Sequence, residues 1–373
     1  MGSFLNFILP PESNYGNWCF EGPMTQKVMN DYSCTRFPEL KDGYKNYILV
    51  EPTEALNGLV YVFDKITKKI NIKEFIKKNN LKIIICSMAD PPAYSNYESL
   101  YLKLIKYDIF NDCVILTSNT NLQGMNLYSY HFFIEQAIES KQHFFNVETD
   151  LGYKSEEILL DELNTFRNKK FLSFNRTVDK EHRYSLLHDY LTNNFSDSYF
   201  SFLTLEGIHC PPFHTNPLKL EEYLRHIPIE LDTNKNFNFT VNNTMRKDLF
   251  LNSCINLVTE TSYSSNELFI SEKILKPILN YQPFIVFGPY NYLNELKKLG
   301  FKTFSDFWDE SYDTIEDSKK RYFKLSKLLL KLNSMNINQL NDLYQTTKEI
   351  CIYNKNHFNN LKINDIKLFF EKL

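Results

Sequence analysis

From residue 46 onward, apolar runs alternate with segments that place apolar side chains three and four residues apart. "NYILVEP" (46–52) and "LVYVFD" (59–64) read as strands, and "NIKEFIKKNN" (71–80) carries helical spacing. "LKIIICSMAD" (81–90) is a continuous apolar run that stops at small and polar residues, the pattern of a central strand buried on both faces. "YESLYLKLIKYD" (97–108) predicts an amphipathic helix, "DCVILTSNT" (112–120) a second buried strand, "YHFFIEQAIES" (130–140) a helix and "HFFNVE" (143–148) a strand. Strands alternating with helices over short connections predict a doubly wound α/β unit.

Residues 154–170, "KSEEILLDELNTFRNKK", are polar and charged and predict a helix that leads to a boundary. The pattern then restarts: strand "FLSFN" (171–175), helix "DKEHRYSLLHDYLTNN" (179–194), strand "YFSFLTL" (199–205), and a looped, Pro-rich insert at 209–236. Helix "NTMRKDLFLNS" (243–253), strand "INLVTE" (255–260), strand "PFIVFG" (283–288), helix "NYLNELKKLG" (291–300) and a short strand "FKTF" (301–304) follow. Residues 314–373 are almost wholly helical by pattern. The fold expected is therefore α/β, two facing Rossmann-like domains with a helical C-terminal tail. The boundaries are 1–165, opened by an irregular lead-in to about residue 43, then 166–313 and 314–373. A ligand is expected in the cleft between two such domains.

Composition narrows the function classes. With 373 residues and 43% apolar content the chain can build real cores. Its 10 glycines form neither GxGxxG nor GxxxxGK[ST], which argues against a phosphate loop of those types. A formal net charge of −3 removes the electrostatic case for nucleic acid as a partner. The seven cysteines are scattered without a CxxC pair, which reads as reduced thiols in a cytoplasmic setting. His209-Cys210 has no second pair at a zinc spacing, so no metal is expected. No apolar run reaches the length of a transmembrane segment, and the start has neither a basic n-region nor an apolar stretch long enough for a signal peptide.

Candidate chemistry sits just after the strands, where open parallel sheets bind ligands. In the second half these residues are Asn175, Arg176 and Thr177; Glu260, Thr261 and Ser262; and Gly288, Pro289 and Tyr290. Ser271, Glu272 and Lys273 open the helix between two of the strands. Taken alone, Glu272-Lys273 is an ordinary charged first turn of a helix. At this junction, however, Lys273 suits a phosphate, and the Glu272 carboxylate suits a ribose diol because it accepts two hydrogen bonds. Arg176 and Arg183 could add a second cationic arm, although Asp179 and Glu181 nearby could simply pair with Arg183. Tyr263 and Tyr290 could stack on a nucleobase. Pro277 falls inside the helix that Ser271 would cap, where a kink or a distorted first turn is expected.

"ISEKILKPILNYQPFIVFGP…YL" and, upstream, "KKFLSFNRTVDKEHRYSLLHDYL" resemble the α1,3-fucosyltransferase-like glycosyltransferases (family 10), in the order and spacing of the blocks, over residues 169–313. The resemblance implies a GT-B architecture, with donor nucleotide-sugar binding by the second domain, acceptor binding on the side of the first, and no obligatory catalytic metal. It implies Glu272 on the donor ribose, Lys273 on the diphosphate, and Arg176 or Arg183 as the second phosphate ligand; Glu260, Ser271 and Tyr263 are placed in the same donor site by their position alone. The general base implied is a carboxylate of the first domain, for which Asp90 is the positional candidate.

The expected activity is inverting, metal-independent transfer of a sugar from a nucleotide-diphosphate donor to a hydroxyl of a glycan or glycoconjugate, without a cofactor. GDP-fucose leads by analogy. Two other readings stand beside it: a non-catalytic nucleotide-sugar or glycan-binding protein on a GT-B shell, and a GT-B-like enzyme of another type, such as a nucleotide-sugar epimerase.

Overall fold

A computed structural model describes residues 5–9, 33–36, 39–50, 71–87, 94–121, 126–131, 134, 138, 157–205, 211–231, 246–264, 267–362 and 369–370. The protein is α/β and divides into two units, Met1–Phe132 and Phe133–Leu373, each built on a parallel sheet.

The first unit carries β1 (Leu5–Leu9), β2 (Ser33–Arg36), β3 (Lys45–Val50), β4 (Lys82–Ser87), β5 (Cys113–Thr117) and β6 (Leu127–Ser129), in the order β2-β1-β3-β4-β5-β6. Every pairing is parallel. Ile83, Ile84, Ile85 and Cys86 of β4 are all fully buried, as a continuous apolar run inside a parallel sheet requires. Helix α1 (Ile72–Asn79) starts at Asn71, whose side chain accepts from the Glu74 N–H, and ends at Asn80 in the left-handed region. Helix α2 spans Tyr94–Lys106.

The expected irregular lead-in is corrected here, because it supplies two of the six strands. Phe7 and Ile8 are buried, and the buried Asn6 amide donates to Thr35 at 3.0 Å and to Asn46 at 2.7 Å, tying β1 to both neighbours. The expected strands at 59–64 and 143–148, and most of the expected helix at 130–140, lie outside the described residues.

The second unit carries β7 (Lys169–Thr177), β8 (Tyr199–Thr204), β9 (Ser253–Thr259) and β10 (Phe284–Phe287), all parallel, in the order β8-β7-β9-β10. The direction of strand addition reverses between β7 and β9. Its helices are α3 (Glu181–Thr192), α4 (Leu220–Leu224), α5 (Lys247–Asn252), α6 (Glu272–Leu279), α7 (Tyr292–Lys298), α8 (Ser318–Asn333) and α9 (Ile337–Asn360).

The C-terminal helices are part of this unit's core. One hydrophobic cluster runs from Ile134 to Phe358 and includes Leu325, Leu329 and Leu340 alongside the strand residues. Helix α9 packs against α6, β7 and β9, and α8 packs against α3. Two asparagines of α9 pair with extended backbone as a strand would. Asn341 accepts from the Arg167 N–H and donates to its carbonyl, both at 2.8 Å, and Asn354 does the same for Lys302 at 2.8 and 2.9 Å.

That second pairing corrects the expected strand at 301–304. Its backbone is satisfied by Asn354 and by the Glu310 carboxylate, which accepts from the Phe304 N–H at 2.7 Å, and no sheet is needed. The expected helix at 154–170 is also corrected. Among its described residues only Leu160–Asn164 turns, as a 3-10 helix, with Leu159 and Leu160 turned out to solvent. Helix α6 continues through Pro277 to Leu279, so the lost bond to the Lys273 carbonyl is tolerated within one short helix. Among the described residues, no helix is long and apolar enough to cross a membrane.

Candidate functional site

Where strand order reverses, the carboxyl ends of the two flanking strands diverge and leave a crevice. In the second unit this point lies between Thr177, ending β7, and Thr259-Glu260, ending β9. It is stitched from below. The Arg183 guanidinium, 8% exposed, donates to the carbonyls of Thr177 (3.2 Å), Glu260 (3.2 Å) and Thr259 (3.5 Å) and lies 3.5 Å from the Asp179 carboxylate. His182 Nε2 donates to the Glu260 carbonyl at 2.9 Å. Burial, reinforced by the neighbouring Arg183, pushes the His182 imidazole well below its ordinary value, so the ring is neutral.

The Glu260 side chain is 1% exposed and turns toward two helices. One carboxylate oxygen accepts from the Tyr292 hydroxyl of α7 at 2.6 Å, and the other accepts from the Ser271 hydroxyl at 2.6 Å. Ser271 in turn accepts from the Lys273 N–H at 3.2 Å and so caps α6. The close approach of Tyr292 depends on Gly288, where a Cβ would stand 3.1 and 3.3 Å from atoms of the Tyr292 ring. Burial raises the Glu260 carboxyl above the usual range, and the nearby Lys273 ammonium and the two hydroxyl donors oppose this only in part.

Above this layer are the groups that reach solvent. The Lys273 ammonium, on a side chain 29% exposed, lies 3.2 Å from the Glu272 carboxylate and 3.3 Å from the Thr261 hydroxyl. For Glu272, burial acts upward, but Lys273, the helix N–H and Lys276 outweigh it and hold the carboxyl below its ordinary value. Arg176, near the end of β7, and Lys180, after it, are exposed, and α3 begins at Lys180 without a side-chain cap. The start of α7 is closed instead: the Asp313 carboxylate accepts from the N–H groups of Leu293 (2.9 Å) and Asn294 (3.2 Å).

The sequence-predicted residues therefore fall into layers. Glu272 and Lys273 form the rim, and Arg176 is exposed near the end of β7. Glu260, Ser271 and Arg183 lie beneath it, spent on holding the strand ends and the α6 cap. Tyr263 is corrected as a base-stacking residue: it is 2% exposed, and its ring is engaged by the His182 imidazole at 4.6 Å and by the Arg321 guanidinium at 4.5 Å. Such a ring has no surface to offer a nucleobase. Asp90 lies outside the described residues.

Lys180 and Tyr292 belong to the arrangement but do not stand out in the sequence as Thr261 does. Thr261 and Lys180 carry a positional signal, directly after a strand and at a helix start. Tyr292 is one tyrosine among 24 and carries none. Among the described residues no group of three or more His, Cys, Asp or Glu side chains could hold a metal ion, and the five described cysteines are free thiols.

A cation beside a carboxylate and a hydroxyl, at a helix N-terminus above a strand-order reversal, can meet an anionic group and a hydroxylated group side by side. Compared with known proteins, the chain matches no protein-family model and no curated sequence.

Proposed function

We propose that the second unit binds the donor of a glycosyl transfer, a sugar carried on a nucleoside diphosphate, and that the protein is an inverting glycosyltransferase of GT-B type. The observation that carries this reading is the Lys273 ammonium at the start of α6, 3.2 Å from Glu272 and 3.3 Å from Thr261, beside the β7–β9 reversal. Lys273 meets the diphosphate, with Arg176 as the second cation. Glu272 takes the ribose hydroxyls once a ligand separates it from Lys273. The "ISEKILKP…PFIVFGP" resemblance points to the same residues and puts GDP-fucose first among donors.

In the reaction an acceptor hydroxyl loses its proton to a general base and its oxygen forms a bond to the anomeric carbon. The bond from that carbon to the β-phosphate oxygen breaks, and its electron pair leaves with the nucleoside diphosphate. Lys273, Arg176 and the N-terminal dipole of α6 stabilise the charge that develops on the leaving group. Asp90 is the sequence candidate for the base.

A thermal-stability screen against GDP-, UDP-, CMP- and dTDP-sugars tests the donor site. Stabilisation by GDP-fucose is expected. A UDP-sugar preference would remove the fucosyl analogy, and no stabilisation by any of them would sink the donor-site reading. Release of nucleoside diphosphate in the presence of acceptor then separates an enzyme from a binding protein.

A further inference from the structure

We infer that Glu260 is a positioning residue of this site: a buried carboxylate strut that sets the first turn of α6, and with it Lys273, without touching the donor. The inference rests on the donor-site reading above.

Four elements converge on this one residue. Its N–H donates to the Phe287 carbonyl at the end of β10 at 3.0 Å. Its carbonyl accepts from His182 and Arg183 of α3. Its carboxylate accepts from Ser271 at the α6 cap and from Tyr292 of α7. An N-cap needs only the serine hydroxyl, which accepts the amide by itself. Placing an acid beneath that serine is costly, since burying a carboxylate forfeits its hydration. What the acid adds is orientation. A hydroxyl that donates to a fixed carboxylate has its lone pairs fixed toward the Lys273 N–H, and the Tyr292 bond fixes the carboxylate itself.

The charged and titratable groups facing Glu260 are Lys273 and Glu272 from α6, Tyr292 from α7, and His182 and Arg183 from α3. Lys273 is the one that favours the ionised form most.

The variants are Glu260→Gln, whose amide nitrogen cannot accept from Tyr292, and Tyr292→Phe, which removes the same bond from the other side. Because either substitution falls in the core, folding is checked first by the melting transition. The probe is GDP-fucose at neutral pH. Both variants are expected to bind it about tenfold more weakly, the loss that one charge-assisted hydrogen bond represents. In both folded variants the Lys273 amide, whose acceptor Ser271 is no longer oriented, is also expected to exchange faster. Folded variants with wild-type affinity overturn the strut. If the wild-type protein binds no nucleotide sugar at all, the donor-site reading fails, and amide exchange judges the strut separately. Faster exchange at Lys273 and Ile274 in Glu260→Gln supports it, and unchanged exchange overturns it.

Discussion

The Tyr322 hydroxyl of α8 donates to the buried Asp189 carboxylate of α3 at 2.7 Å. Ser326, one turn further along α8, donates to the same oxygen at 2.7 Å, and His214 Nε2 donates to the other at 3.0 Å. One side chain thus fastens a C-terminal helix and the 211–218 segment to the first helix after β7. Asp189→Ala leaves three donors without their acceptor in a packed interior. A loss of about 3 kcal/mol or more is expected in urea unfolding. Asp189→Asn, which keeps one acceptor oxygen, is expected to lose less.

Gly300 has φ +90, and a Cβ there would stand 2.7 Å from the His357 imidazole of α9. His357 Nε2 already donates to the Leu299 carbonyl at 2.7 Å and its ring meets Phe301 edge-on. Gly300→Ala therefore forces both an unfavourable backbone conformation and a clash. A destabilisation of about 1–3 kcal/mol is expected, read as a lower urea midpoint at unchanged slope. An unchanged midpoint would show that α9 is not docked on this turn.

His182 is buried and neutral, with its folded value well below the ordinary 6.5. A depressed folded value means that unfolding takes up a proton. The stability concerned is fully present above about pH 6.5 and is lost as pH falls, with a slope of up to about 1.4 kcal/mol per pH unit. His188, lowered by burial and by its neighbour His214, acts in the same sense. His182→Gln keeps a donor for the Glu260 carbonyl and is expected to flatten the stability profile between about pH 6.5 and 5. A variant profile as steep as the wild type would contradict a neutral buried imidazole.

Glu272 works at lower pH. Its carboxyl is held below the ordinary 4.5, so the stability it contributes is present above that value and is lost as pH falls through the lowered one. Glu272→Gln is expected to lower stability at neutral pH, with the difference from wild type shrinking below about pH 4.5. A difference that stays constant down to acid pH would mean that the Glu272–Lys273 pair contributes nothing.

Much of this architecture can be read from the chain because parallel strands are buried on both faces. β4, β5 and β10 appear as continuous apolar runs, and β7 and β9 as mainly apolar runs that end in polar residues. β2, "SCTR", is an edge strand without an apolar run, and β1 is cut off by Pro10-Pro11, so neither announces itself. Residues 301–304 have the composition of a strand, yet their hydrogen bonds go to Asn354, 52 residues away, which no local pattern encodes. The site divides in the same way. Glu272 and Lys273 are legible because they are adjacent and follow a strand. The depth of Glu260, Arg183 and Tyr263 is not, because sequence order gives the neighbours along the chain and not which side chains lie beneath others.

The central claim is that Lys273 receives the diphosphate of a nucleotide-sugar donor. Calorimetric titration of GDP-fucose into the wild-type protein and into Lys273→Ala tests it most directly, with UDP-, CMP- and dTDP-sugars as parallel titrants. The expected result is saturable one-site binding by the wild type and an affinity at least about tenfold weaker in the variant, which still melts cooperatively. Binding of equal strength by both proteins, or no binding of any nucleotide sugar by the wild type, would contradict the account.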